Sequence, residues 1–119
     1  METITTTTHN PARCLELIPA AEDALYVIAS KWTMRILLAL RGGDKRFNEL
    51  QRHLSGISAR VLSNELKGLE LNGLIARRTL DNGTVLYMHN DYADSLKSVI
   101  RELSLWGIQH KQKIRNKEI

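Results

Sequence analysis

Residues 48–89 read NELQRHLSGISARVLSNELKGLELNGLIARRTLDNGTVLYMH, and the order of signals in this stretch decides the fold. Asn48 and Gln51 have the spacing of a capping-box variant, so a short helix starts there and runs to about Leu54, with Leu50 and Leu54 turned inward. Ser55-Gly56-Ile57 is a tight turn in which Gly56 is expected at positive φ. Ser58 then caps a longer helix, Ala59 to about Leu71, because its hydroxyl can accept from a free amide of the first turn. Leu62, Leu66 and Leu69 fall at i, i+4 and i+7 of that helix, one apolar stripe, and Asn72-Gly73 ends it. Two strand-like runs follow, Leu74–Leu80 and Thr84–His89. Asn82-Gly83 between them reads as a two-residue type I′ turn, which pairs Arg78 with Tyr87 and Leu80 with Val85. Helix, tight turn, helix and hairpin in this order is a helix-turn-helix with a wing. The expected fold class is mainly α with a small β-hairpin wing (α+β), a winged helix-turn-helix.

Working outward, Pro19 suits the first turn of a helix, Ala20–Ala29, with Leu25 and Ile28 on one face. Ser30 can cap the next helix, Lys31–Arg41, where Trp32, Ile36, Leu37 and Ala39 or Leu40 keep helical spacing until Gly42-Gly43. Downstream, Asn90 or Asp91 caps a long final helix whose apolar stripe is Leu96, Val99 or Ile100, Leu103 and Trp106. Beyond Gly107 the chain is basic, with Lys111, Lys113, Arg115 and Lys117. The Thr-rich run Thr3–Asn10 has little to bury. The expected organisation is a flexible extension over 1–18, the winged domain over 19–110 and a basic tail over 111–119, with no internal repeat or linker.

A length of 119 residues suits one domain of ~100–150 residues. With 43% hydrophobic and 25% charged residues the composition excludes wholesale disorder, and 5% aromatics make the core aliphatic. The 17 Lys and Arg outnumber the 13 Asp and Glu, for a net charge of +4 and a pI near 9.5, which favours a polyanionic partner. Cys14 is the single cysteine, so an intrachain disulfide framework is excluded. The first residues lack a signal-peptide pattern and no apolar run approaches the ~20 residues of a membrane span, so a cytoplasmic protein without membrane contact is expected.

The second helix of the motif carries the chemistry. Opposite its leucines lie Ala59, Arg60, Ser63, Asn64 and Lys67, small, neutral polar or cationic, with no acid on that face until Glu70. Arg can bond guanine O6 and N7 and Asn adenine N6 and N7, so Arg60 and Asn64 are the candidates for base edges. Ser58, Ser63 and Lys67 are candidates for mixed base and phosphate contacts, with the first free amides of the helix able to receive a phosphate. Arg46 ahead of the motif joins this set. In the hairpin, Arg77, Arg78, Asn82 and Thr84 bring cations and amides towards the tip. Neighbouring strand residues face opposite ways, so Arg77 and Arg78 cannot share a face, and Arg78 has the alternative of leaning on Tyr87.

Taken together, Ser30-Lys31-Trp32-Thr33, Arg46-Phe47-Asn48-Glu49-Leu50, Gly56-Ile57-Ser58, Leu62, Leu66, Leu69-Glu70, Gly73-Leu74-Ile75, Arg77, Tyr87 and Trp106-Gly107 resemble the HxlR-type winged helix regulators of bacteria and archaea, relatives in fold of the MarR group. The resemblance runs from about Ala24 to Gly107. It implies a transcription regulator that binds double-stranded DNA as a homodimer built from the first and last helices, with Leu96, Val99, Ile100, Leu103 and Trp106 shared between core and interface. Two recognition helices, about 58–71, would meet a pseudo-palindromic site, with the wing, about 77–88, on the backbone or minor groove. The chain also departs from the pattern. Many members carry a cysteine just ahead of the first helix, used by some as a redox sensor, and that place falls on Pro19 here. Cys14 lies five residues earlier, with Arg13 as its adjacent cation. An inert thiol is the plainer reading, and redox sensing by Cys14 is the alternative. The wing is shorter than usual, and His89 stands where an apolar residue is customary.

An enzyme is not expected. His9, His53, His89 and His110 are scattered, and no phosphate-binding Gly-rich loop occurs. His89-Asn90-Asp91 is the nearest approach to a metal-ligand spacing, with Asp91 already explained as a helix cap. No metal and no cofactor are called for, and an unknown small-molecule or redox effector stays open. The rival class is a winged helix that binds protein rather than DNA, which would expose more apolar residues around Arg60, Asn64 and Lys67.

Overall fold

The computed structural model describes residues 11–117, without the side chains of Pro11, Ala12 and Cys14. Helix α1 spans Pro11–Ile28, α2 Thr33–Arg41, α3 Phe47–His53 and α4 Ala59–Leu71. An antiparallel hairpin follows, β1 Ile75–Thr79 and β2 Val85–His89, then a 3-10 segment Asp91–Leu96 and helix α5 Lys97–Asn116. This is the winged helix-turn-helix expected from the sequence.

The leucine stripes meet in one core. Ile36 and Leu40 of α2, Leu50 of α3, and Leu62 and Leu66 of α4 are almost fully buried, closed below by Leu74 and Ile75. Val27, Trp32, Phe47, Tyr87 and Leu96 pack against its edge. A buried leucine such as Leu62 is worth ~2–5 kcal/mol against alanine, so the α4 stripe alone ties that helix firmly to the body.

Several boundaries differ from the sequence reading. Helix α1 begins at Pro11, and Pro19 lies inside it rather than at its start. An interior proline leaves the carbonyl four residues earlier unbonded. Leu15, Ile18 and Pro19 are exposed, so water can reach that carbonyl. Residues 11–18, expected in a loose extension, are therefore helical, while residues 1–10 lie outside the described part. Helix α5 runs through Gly107 to Asn116, taking in most of the expected basic tail. Lys113 and Arg115 in its last turn complement the negative end of the helix dipole. The final helix is also not capped directly by Asn90 or Asp91. The 3-10 segment intervenes, with Asn90 at its N-cap making no side-chain cap bond and Ala93 anchoring it in the core.

The hairpin register is shifted by one residue. Arg77 pairs with Tyr87, Arg78 with Leu86 and Thr79 with Val85, in place of Arg78 with Tyr87 and Leu80 with Val85. Leu80 N–H bonds Thr84 O at 2.7 Å and Gly83 N–H bonds Leu80 O at 2.9 Å. Gly83 has φ +86 and Asn82 is not at positive φ. Those are the marks of a type I turn followed by a left-handed glycine, the three-residue loop, in place of a type I′ turn. Lys45 adds a bridge to the free side of β2, with Lys45 N–H to Tyr87 O at 3.0 Å and Tyr87 N–H to Lys45 O at 2.8 Å. Among the described residues no helix is long and apolar enough to cross a membrane.

Candidate nucleic-acid interface

The turn that sets the angle between α3 and α4 uses two left-handed residues, Ser55 at φ +33 and Gly56 at φ +95. The expected positive φ at Gly56 is therefore present. Buried Ile57 pins the turn, and Gln51 Nε2 donates to Ile57 O at 3.2 Å. Ser58 then caps α4, its Oγ accepting from Val61 N–H at 3.1 Å. At the far end Gly73, at φ +75, lets Leu74 N–H return to Leu69 O at 3.0 Å.

With Leu62, Leu66 and Leu69 buried, the opposite side of α4 is fixed by helical geometry. Ser58, Ala59, Arg60, Asn64 and Lys67 are exposed, and Ser63 is half-buried. Glu65, which the sequence reading passed over, sits on the flank, and Ser30 Oγ donates to its Oε1 at 2.6 Å. Ser30 is not the N-cap of α2 that the sequence suggests: the helix starts at Thr33 rather than Lys31, with Trp32 at the N-cap and no side-chain cap bond. Ser30 accepts from Trp32 N–H at 3.1 Å and straps the entry of α2 to the middle of α4. The strap holds the Glu65 carboxylate on the flank, beside the outward face on which Arg60, Asn64 and Lys67 are exposed.

Arg46 is exposed at the N-cap of α3, where its backbone N–H and its Nε both donate to Glu49 Oε1, at 2.9 and 3.3 Å. The expected box at Asn48 and Gln51 is displaced to Arg46 and Glu49. Only the carboxylate half of it operates, since a guanidinium has no acceptor. The Arg46 backbone N–H, then its side chain, hold the Glu49 carboxyl below its usual range. In the wing, Arg77 Nε lies 3.6 Å from Glu70 Oε2, joining β1 to the end of α4. Arg78, one residue on, points to the other face of the ribbon and has no ion pair among the described residues. Asn82 is exposed, but its Oδ1 accepts from Thr84 N–H at 3.0 Å and serves the turn. The site residues thus form two neighbouring groups, the α4 face and the wing, joined by Arg77 and Glu70.

The apolar surface lies elsewhere. Helix α5 has no buried residue, and Val99, Leu103, Leu105, Trp106, Ile108 and Ile114 are all exposed. Trp106, 63% exposed, stacks on His110 with ring centroids 4.7 Å apart. On α1, Leu15, Ile18, Leu25 and Tyr26 are exposed, Tyr26 at 91%. Of the expected stripe, Leu96 and Ile100 are half-buried. Leu105 lies off the spacing of the expected stripe, and Ile108 and Ile114 lie beyond Gly107, where the basic residues are what stand out in the sequence. The Cys14 side chain, the candidate redox group, lies outside the described residues.

Ligand atoms of His89, Asp91 and Asp94 come within 4.8 Å of one another. Asp94, however, already takes Arg41 Nη1 at 2.5 Å and Lys97 Nζ at 3.9 Å. Two cations stand where a metal ion would compete, so this donor set is a poor one.

A family model described as HxlR-like helix-turn-helix matches residues 27–115. The chain is 32% identical over 96 residues to the HTH-type transcriptional regulator YvaP of Bacillus subtilis, covering 79% of this chain and 89% of that protein. The reduced form of the transcriptional regulator YodB from B. subtilis superimposes with a TM-score of 0.70 at 30% identity, over 76% of this chain and 91% of that one. A MarR-family regulator from Enterococcus faecalis V583 matches with a TM-score of 0.69 at 29% identity, over 97% of this chain and 100% of that one.

Proposed function

The chain belongs to the HxlR-like helix-turn-helix family of transcription regulators, and from that footing we propose that it binds double-stranded DNA sequence-specifically as a homodimer on a pseudo-palindromic operator. The observation that carries this reading is the outward face of α4, where Arg60, Asn64 and Lys67 stand exposed opposite three buried leucines. Helix α4 enters the major groove; Arg60 and Asn64 read base edges, and Ser58, Ser63 and Lys67 divide between bases and phosphates, with Ala59 small enough to let the helix approach. The wing lies over the backbone or minor groove through Arg78, Asn82 and Thr84, while Arg77 acts mainly by bracing the wing against Glu70. Arg46 lies within reach of a flanking phosphate.

Dimerisation accounts for the uncovered helices. A 20-residue amphipathic helix with an exposed tryptophan and no buried residue needs a partner surface. The Cα radius of gyration of 17.9 Å exceeds the ~13–14 Å of a compact chain this size, in keeping with an α5 that buries none of its residues against the body. Two copies pairing through α1 and α5 bury Val99, Leu103 and Trp106 and present two α4 helices about one DNA turn apart. The rival protein-binding module gains no support, since the exposed large apolar residues concentrate on α1 and α5, and on α4 only Val61 and Leu71 show.

A gel-shift titration with promoter fragments at several salt concentrations tests the proposal. Each phosphate contact contributes ~0.9 to the log–log salt slope, so Lys67→Ala, which removes one contact from each protomer, should flatten the slope by ~1.8. Wild-type binding that is absent, or unchanged in Arg60→Ala with Lys67→Ala, contradicts it.

A further inference from the structure

Between one face of α2, the foot of β2 and the start of α5, the surface folds into a cavity of about 390 Å³. That volume falls in the ~300–1,000 Å³ range of small-molecule sites. The cavity floor is aliphatic, made by Met34, Leu37, Leu38, Ala93 and Ile100. Its polar lining is entirely basic: Arg41, His89, Lys97 and Arg101, with no acid among them. Asp94 stands beside this rim and takes Arg41 Nη1 at 2.5 Å, His89 Nε2 at 3.1 Å and Lys97 Nζ at 3.9 Å. One carboxylate leaves the rim with net positive charge, because Arg101 has no ion pair among the described residues. Nδ1 of His89 is buried without a hydrogen-bond partner.

We propose that this cavity binds a small organic monocarboxylate, with its hydrocarbon body on the aliphatic floor and its head group against Lys97 and Arg101. The two halves of the lining select for both properties at once. An inorganic anion would leave the floor wet, and a neutral hydrocarbon would leave Arg101 without a counter-charge. A DNA phosphate gains nothing from Met34 or Leu37, so the basic rim is not an extension of the α4 face. Unlike the α4 face, the cavity is walled by three separate parts of the protein: α2 of the body, the wing through His89, and α5. A ligand seated there would change the angle between body and α5. On the dimeric reading given above, on which this consequence rests, that angle sets the separation of the two α4 helices. The ligand would thereby tune DNA affinity. Occupancy itself does not depend on that reading.

Isothermal calorimetry on the full chain, without DNA, tests occupancy with octanoate as probe and 1-octanol as its uncharged counterpart. The proposal expects one saturable octanoate site per chain, and octanol binding weaker by about tenfold or more, the worth of one charge-assisted hydrogen bond. The double variant Lys97→Gln with Arg101→Gln should abolish that difference. Both residues are exposed and outside the core, so the variant should fold, and a near-wild-type circular dichroism melt verifies this. Absence of saturable octanoate binding, equal affinity for octanol, or a folded double variant with unchanged preference overturns the proposal. A fluorescence-anisotropy titration with DNA is a separate arm. A loss of all DNA binding there with octanoate binding intact strikes the DNA assignment alone.

Discussion

Two glycines on either side of the recognition-helix cap should respond to the same substitution with opposite sign. Gly56 sits at φ +95, and a Cβ built there meets nothing within 4 Å. The cost of Gly56→Ala is therefore backbone strain with no steric clash. An L-residue in the left-handed region costs ~1–2 kcal/mol, and the loss of unfolded-state freedom returns ~0.4–1 kcal/mol of this. A net loss of about 1 kcal/mol follows for alanine, and a larger one for β-branched valine. Gly68 lies inside α4 at an ordinary helical φ, and its Cβ also meets nothing. There Gly68→Ala should stabilise by ~0.5–1 kcal/mol, since glycine is the poorer helix former. Urea titrations followed by the fluorescence of Trp32 and Trp106, at one fixed protein concentration, measure both. Gly56→Val should also weaken DNA binding, because relief of the strain tilts α4. Equal effects of the two alanine variants, or a neutral Gly56→Val, would show that the turn does not hold the helix as described.

Other consequences are simpler to read. Leu103→Asp places a charge in the proposed α1–α5 interface, and since Leu103 is 42% exposed in the protomer the variant should fold as a monomer; sedimentation velocity showing an unchanged dimer would remove α5 from the interface. Arg78→Ala should reduce DNA affinity more than Arg77→Ala, because Arg77 is engaged by Glu70; the reverse order in a gel shift would assign the DNA contact to Arg77. The carboxyls of Asp94 and Glu49 both titrate below their ordinary values of 3.8 and 4.5, Asp94 chiefly through the hydrogen bond from Arg41 and Glu49 chiefly through the Arg46 backbone N–H. The unfolded chain thus binds more protons in this range. Their contribution is complete above about pH 4.5 and is lost as the pH falls through the lower folded values. Asp94→Asn should make stability less acid-sensitive, and an unaltered slope between pH 5 and 3 in urea melts would refute this.

The parts of this fold that could be read from sequence are those in which one physical rule acts alone. The Leu62, Leu66 and Leu69 stripe, the Ser58 cap and the Asn72-Gly73 stop each follow from local geometry, and each stands as expected. The hairpin register did not follow, because Asn82-Gly83 satisfies two turn types. The choice of the three-residue loop, with only Gly83 at positive φ, also fits the bridge from Lys45 to Tyr87, a residue 42 positions away in sequence. Pro19 misled for a related reason. It is a local helix breaker of known cost, yet it lies within a helix on exposed surface, where propensity does not set the ends. The candidate interface was legible as a list of side chains. Its bracing was not, since Ser30 to Glu65 and Arg77 to Glu70 join elements that only the tertiary fold brings together.

The central claim is that Arg60, Asn64 and Lys67 form the reading face of a dimer. Selection of bound duplexes from a randomised pool, with wild type and Arg60→Ala in parallel, tests it most directly. Wild type should enrich an inverted repeat with half-sites ~10 base pairs apart, or a multiple of that, and the variant should lose preference at the same guanine in each half. No enriched motif, or an identical one from both proteins, would contradict the account.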